Sequence, residues 1–286
     1  MIENCWQQNG IGELVINLDY INNTNDIILK RCPLLKPFNI LSLKEFSNIE
    51  DIISYAESFI EKPELAFGLE DRCIDCKLPT KIKKVVVGLS RACNLNCYHC
   101  FVKGLHQDDD AIKNLYFNTL EKIKGHHLEA IKLTDIGEPF YYYFQIIDYL
   151  SSLKYEIDTK EVQFITNLNL LNEKRLNELK EISKKTGIRY FFDISFDGIT
   201  KESYEKTRIN GSFEKIMNNL KLCVQLFGTE NVLYQYVIKA PNFSDDHKSI
   251  EGFFQNNFGI KGRITYDTLD DDAREVFYEK FNNLKV

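Results

Sequence analysis

The chain lacks any apolar run approaching the roughly 18 residues that a membrane-spanning helix needs. Its opening residues, Met1, Ile2, Glu3 and Asn4, lack the basic region and apolar core of a secretory leader. A cytoplasmic location is therefore the expectation, with no membrane partner. A basic stripe is also missing: 36 Lys and Arg stand against 42 Asp and Glu, for a formal net charge of -6. The lysines interleave with acids, as on a solvated face. Without surplus positive charge to offset phosphate repulsion, nucleic acid is not an expected partner. No low-complexity segment or repeat breaks the 286 residues. With 44% hydrophobic and 27% charged residues, the composition is that of an ordinary globular protein, long enough for one large domain and a small one.

Cysteine is not scarce. Eight occur, at positions 5, 32, 73, 76, 93, 97, 100 and 223. Disulfides do not persist in a reducing compartment, so clustered thiols there point to metal binding or catalysis. Cys93, Cys97 and Cys100 form a Cys-x3-Cys-x2-Cys run just past the apolar stretch at 84–89. A closed structural zinc site needs four ligands, whereas an iron-sulfur cube held by three thiolates leaves one iron open to a substrate or cofactor. A zinc knuckle that borrows Cys73 or Cys76 is the competing reading. Cys223 lies one helical turn after Leu220 on an apolar stripe, where a buried, inert thiol is expected.

From about residue 84 onward, short β-branched or aromatic runs alternate with stretches of helical period, the signature of parallel βα units. The pattern predicts strands at 84–89, 129–134, 161–166, 189–196, 231–238 and 262–266. Asp108, Asp109 and Asp110 start the first helix, Asn172 opens another that Gly187 stops, Ser212 and Gly228 bound the next, and Ser244 opens the last. Right-handed crossovers would curl six such units into an α/β fold, a partial (β/α)6 TIM-like barrel spanning 81–286. Residues 1–80 differ in texture and predict a small cysteine-bearing α+β extension. In it, strands at 13–17 and 26–30 flank the turn Asn22, Asn23, Thr24 and Asn25, and a helix follows at 43–61.

Barrel folds place their chemistry in the loops after the strands. There the chain carries the three-cysteine loop, then Asp135-Ile136-Gly137-Glu138-Pro139, Thr166-Asn167, Ser195 with Asp197-Gly198, and Lys239 to Asn242. With the cysteine spacing, this order resembles the radical S-adenosylmethionine (SAM) enzymes. The resemblance implies a 4Fe-4S cluster on Cys93, Cys97 and Cys100 whose open iron binds the amino and carboxylate groups of SAM. Gly137 and Glu138 look like the family's Gly-Gly-Glu-Pro segment, which accepts hydrogen bonds from the methionyl amino group, although Ile136 replaces its first glycine. Asn167 falls in a segment similar to Thr-Asn-Gly, with Leu168 in place of glycine, and would reach the ribose hydroxyls or else cap its own turn. The segment from Ser195 through Asp197-Gly198 to Arg208, Gly211 and Phe213 looks like one common in peptide- and protein-modifying members. By that likeness Ser195 would bond the SAM ribose or carboxylate and Arg208 would pair with the carboxylate, unless Arg208 makes a surface salt bridge. His99 stands where members carry an aromatic ring near the adenine, and is otherwise an imidazole with no ligand contact. Asn242 matches an asparagine near adenine or ribose.

Cys5, Cys32, Cys73 and Cys76 could close one further site. Their arrangement resembles SPASM or twitch extensions that hold an auxiliary 4Fe-4S cluster, here preceding the barrel instead of following it. Zinc is the alternative occupant, and unligated thiols a third reading. The expected function is reductive SAM cleavage to a 5′-deoxyadenosyl radical that takes hydrogen from a substrate. A peptide or protein side chain is the leading substrate, with a small molecule or sugar open, and a flavodoxin or ferredoxin would supply the electron. The competing readings are a non-catalytic iron-sulfur carrier, a zinc-stabilised binding module, and a methyltransferase for which the chain shows neither a cobalamin domain nor a methyl-accepting cysteine pair.

Overall fold

The computed structural model describes residues 12–19, 24–30, 38–42, 82–88, 92–100, 110–133 and 137–266. Nine strands form one sheet: β1 (Gly12–Asp19), β2 (Thr24–Lys30), β3 (Phe38–Ser42), β4 (Ile82–Gly88), β5 (Leu128–Leu133), β6 (Thr159–Thr166), β7 (Arg189–Ser195), β8 (Val232–Ile238) and β9 (Gly262–Tyr266). Their spatial order is β3-β2-β1-β4-β5-β6-β7-β8-β9. From β4 to β9 every pairing is parallel. Helices α1 (Asp110–Ile123), α2 (Tyr143–Ser152), α3 (Glu173–Thr186), α4 (Lys201–Thr207), α5 (Phe213–Phe227) and α6 (His247–Phe258) fall between these strands. The α/β expectation holds: six parallel strands alternate with helices, and the sheet stays open at its edges.

The hairpin expected near the N-terminus is present, β1 pairing antiparallel with β2 across Asp19 and Thr24. It joins the parallel sheet directly, because β1 also runs parallel to β4, with Val15 opposite Val86. The helix expected at 43–61 lies outside the described residues, as do Cys5, Cys32, Cys73 and Cys76.

Two-residue alternation sorts each parallel strand into two faces. Val85, Ile131, Phe164, Phe192 and Tyr236 face the helices and belong to one buried cluster with Leu120, Leu150, Leu179 and Leu220. The other face, the concave side of the sheet, carries Lys132, Gln163, Asp193, Ser195 and Gln235 among the apolar Ile165, Phe191, Leu233 and Val237. Cys223 is fully buried in the apolar cluster, as its stripe position requires.

Helix ends follow local chemistry. Asn172 accepts from the Arg175 N–H at 3.0 Å to start α3, and Gly187 ends it in the left-handed region at φ 74°. Ser212 accepts from Lys215 N–H at 3.3 Å to start α5, with Gly228 after its last turn. The last helix corrects an expectation: its cap is Asp246, not Ser244. The Asp246 carboxylate accepts from the Ser249 N–H at 2.9 Å and its hydroxyl at 2.8 Å, satisfying donors that Ser244 is too far upstream to reach.

Candidate cluster and cofactor site

The three-cysteine loop leaves β4 and is clamped from two sides. Asn96 N–H donates to the Ile209 carbonyl at 2.9 Å and Tyr98 N–H to the Thr207 carbonyl at 2.8 Å, tying the loop to the end of α4. Opposite, Glu138 N–H donates to the Ala92 carbonyl at 2.9 Å, tying it to the loop after β5. Cys97 is buried, and Cys93 and Cys100 are half-buried.

Three donors address the sulfurs. Leu95 N–H lies 3.4 Å from Cys93 Sγ, Asn167 Nδ2 lies 3.7 Å from the same atom, and Arg208 Nη1 lies 3.4 Å from Cys97 Sγ. Donors aimed at sulfur favour thiolate over thiol. Burial, joined by the charge of Glu138, otherwise pushes the Cys93 thiol up to about 12. A bound metal reverses that balance, since a coordinating thiol is deprotonated outright. Among the described residues, no three His, Cys, Asp or Glu side chains converge as the ligands of one ion would.

Arg208, at the C-terminal cap of α4, joins this loop to β7. Its Nη2 sits 2.6 Å from Asp197 Oδ2, and both side chains are buried. Burial opposes the charge on each, but their mutual attraction wins: Asp197 is held below the usual carboxylate range and Arg208 stays protonated. Gly198 makes this corner possible, because a Cβ there would lie 2.1 Å from the Tyr204 nitrogen. His99 Nε2 lies 3.6 Å from the same Asp197 oxygen. Burial pulls the imidazole down to about 3, so it is neutral. Lys239, fully buried at the end of β8, adds its charge to the field that Asp197 and His99 feel.

Glu138 is 1% exposed and its carboxylate is fully engaged. It accepts from Thr166 Oγ1 at 2.7 Å, Asn167 N–H at 2.7 Å and Phe140 N–H at 3.3 Å, so the side chain braces the loops after β5 and β6. Burial still pushes it up to about 7 despite those donors. The half-buried Gly137 precedes it, at the mouth of the loop. Asn167 turns its amide to Asn94 Oδ1 at 3.0 Å and accepts from Asn169 N–H at 2.9 Å. Leu168, where the family pattern has glycine, adopts the left-handed region at φ 59°.

The expected residues thus divide. Cys93, Cys97, His99, Glu138, Asn167 and Arg208 form one contiguous network, and Ser195 lies at the end of β7 paired with Gln235 of β8. Asn242, fully buried in the loop after β8, meets that network through the backbone of Asp197. Its amide donates to the Val237 carbonyl at 2.9 Å and the Asp197 carbonyl at 3.2 Å, and accepts from Lys239 N–H at 2.7 Å. Sequence reasoning assigned no role to Asp197 or Lys239. The signal for the first was Asp-Gly at a strand end; for the second, a lysine leaving an apolar strand.

A family model described as the radical SAM superfamily matches residues 87–245. The chain belongs to the radical SAM superfamily. Membership implies a 4Fe-4S cluster and SAM. A Methanocaldococcus jannaschii protein, provisionally described as a glycyl-radical enzyme activating enzyme, is 29% identical over 139 residues, covering 47% of this chain and 35% of the relative. An uncharacterized protein of the same organism is 25% identical over 163 residues, covering 56% and 49%. The solved structure of anSMEcpe with bound AdoMet and a peptide aligns at TM-score 0.45 and 17% identity, over 64% of this chain and 50% of that one. The chain thus spans half or less of each of these proteins. No helix among the described residues is long and apolar enough to cross a membrane.

Proposed function

We propose that this radical SAM protein cleaves SAM reductively and abstracts hydrogen from a peptide or protein side chain. The carrying observation is the clamped cysteine loop with Leu95, Asn167 and Arg208 donating to its sulfurs. Cys93, Cys97 and Cys100 would hold the cube, and Gly137, Ser195 and His99 lie on the loops and strand end around it. When bound, the cluster would supply one electron, taken from an external reductant, to break the sulfonium carbon-sulfur bond of SAM, giving methionine and a 5′-deoxyadenosyl radical that would take the hydrogen. The protein's own part is positional. Arg208 fixes Cys97 against Asp197, and Glu138 locks the loops after β5 and β6. The Asp197-Gly198 to Phe213 segment supports a peptide substrate by its likeness to peptide-modifying members.

Anaerobic reconstitution followed by a reductant-dependent assay for 5′-deoxyadenosine tests this. Wild type that binds a cube but makes none would instead fit an electron carrier. We further propose that Cys5, Cys32, Cys73 and Cys76 hold an auxiliary cluster. Replacing Cys73 and Cys76 by alanine should then lower iron by about one cube, and unchanged iron would refute it.

A further inference from the structure

The concave face of the sheet carries a mixed row of polar and apolar side chains that the cluster site does not use. Register places Lys132 opposite Gln163, Gln163 opposite Phe191, Asp193 opposite Leu233 and Gln235 opposite Arg263, so these side chains share one face. Asp193 is its pivot. Only 4% exposed, it accepts from Gln235 Nε2 at 2.6 Å and Arg263 Nη2 at 2.5 Å, both on Oδ2. Its Oδ1 is buried with no hydrogen-bond partner. A buried carboxylate oxygen left unmatched costs free energy, and such atoms call for a ligand or another explanation.

The location fits a ligand. Asp193 stands two residues before Ser195, roughly 7 Å below the strand end where the cluster loop lies. Lys132 and Arg263 both bear electrostatically on Asp193. Arg263, ion-paired with the same carboxylate, disfavours a further cation there, which selects a neutral donor over an ammonium group.

We propose that Asp193 is a substrate-binding residue whose Oδ1 accepts a hydrogen bond from an amide N–H of a peptide lying against the concave face. The assignment rests on the peptide reading above. Gln235 and Arg263 are positioning residues that hold the carboxylate by Oδ2 and leave Oδ1 unpaired.

Saturation-transfer NMR on the reconstituted full chain tests it with three probes: N-acetylalanine N-methylamide, the same compound methylated at both amide nitrogens, and methylammonium. The expected result is transfer to the first probe, about tenfold weaker binding of the methylated one, and none of methylammonium. Asp193→Asn keeps an acceptor for Gln235 and Arg263 but can turn an amide N–H toward the probe, so the first probe should bind it about tenfold more weakly. Equal binding of the two amide probes, no binding of either, preference for methylammonium, or unchanged binding to a folded Asp193→Asn protein would overturn the assignment. If Asp193→Asn does not fold, the wild-type comparison of the amide probes still decides. None of these readouts depends on SAM cleavage. Loss of the Asp193 site with 5′-deoxyadenosine formation intact therefore removes this inference alone.

Discussion

Arg208 and Asp197 form a buried ion pair at 2.6 Å, and the other arm of the same guanidinium lies 3.4 Å from Cys97 Sγ. Eleven residues apart in sequence, they clamp the end of β7 to the cysteine loop. A planar guanidinium can address a carboxylate and a sulfur together, which the point charge of a lysine cannot do in fixed geometry.

Breaking such a pair strands a buried charge. Asp197→Asn should destabilise the protein by about 3–5 kcal/mol in chemical denaturation, because Arg208 keeps its charge without its partner. The double change Asp197→Asn with Arg208→Gln should cost clearly less than the sum of the two single changes. Strict additivity would show that the pair is not coupled in solution.

Gly198 sets the corner that brings Asp197 to Arg208. Its Cβ position lies within 2.2 Å of both the nitrogen and Cα of Tyr204, which are backbone atoms that cannot swing aside. Gly198→Ala should therefore cost about 3 kcal/mol, at the upper end of overpacking effects. It should also reduce the iron retained on reconstitution, since the clamp on Cys97 moves with the corner. A stability loss with iron content unchanged would separate the corner from the cluster.

Much of this architecture could be read from residue order. β-branched and aromatic runs located β5 to β9 to within two residues, and Asn172, Gly187, Ser212 and Gly228 bounded helices because capping is local chemistry. The cysteine spacing located the loop that the structure clamps. What stayed hidden depends on distance in sequence. Glu138 reads as a ligand-facing carboxylate, yet Thr166 and the Asn167 N–H, 28 and 29 residues downstream, occupy its oxygens. Asn242 reads as a cofactor neighbour, yet its amide is used up by backbone that only folding brings near. Asp193 carried no motif at all, since one acid in an aromatic strand looks ordinary until the register shows what shares its face.

The burial of Glu138 gives a pH signature. Its folded-state value of about 7 lies above the ordinary carboxylate value of 4.5. The stability tied to its protonated form is therefore fully present below about 4.5 and is lost as pH rises through about 7. Denaturation midpoints measured from pH 5 to 8 should fall with rising pH in wild type and fall less in Glu138→Gln. That variant should also be less stable at pH 5, by about 1–3 kcal/mol, if its amide meets the Asn167 N–H donor to donor. Parallel pH curves for the two proteins would exclude Glu138 as the titrating group.

Leu168 tests how the chain tolerates a departure from the family's glycine. The left-handed region costs a non-glycine residue about 1 kcal/mol or slightly more. Two contacts hold it there: Leu168 N–H donates to Thr166 Oγ1 at 2.9 Å, and Asn219 Nδ2 donates to the Leu168 carbonyl at 3.0 Å. The side chain is fully buried in the core cluster, so its removal should cost about 2–5 kcal/mol. These opposing effects predict that Leu168→Gly destabilises by about 2 kcal/mol net, since backbone relief offsets part of the cavity cost. Asn219→Ala should cost about 1–3 kcal/mol with Leu168 in place, because it leaves the Leu168 and Leu171 carbonyls without their shared donor. A Leu168→Gly protein as stable as wild type would mean that the buried leucine contributes no more than its backbone strain takes away, and that the family's glycine could be restored at no cost.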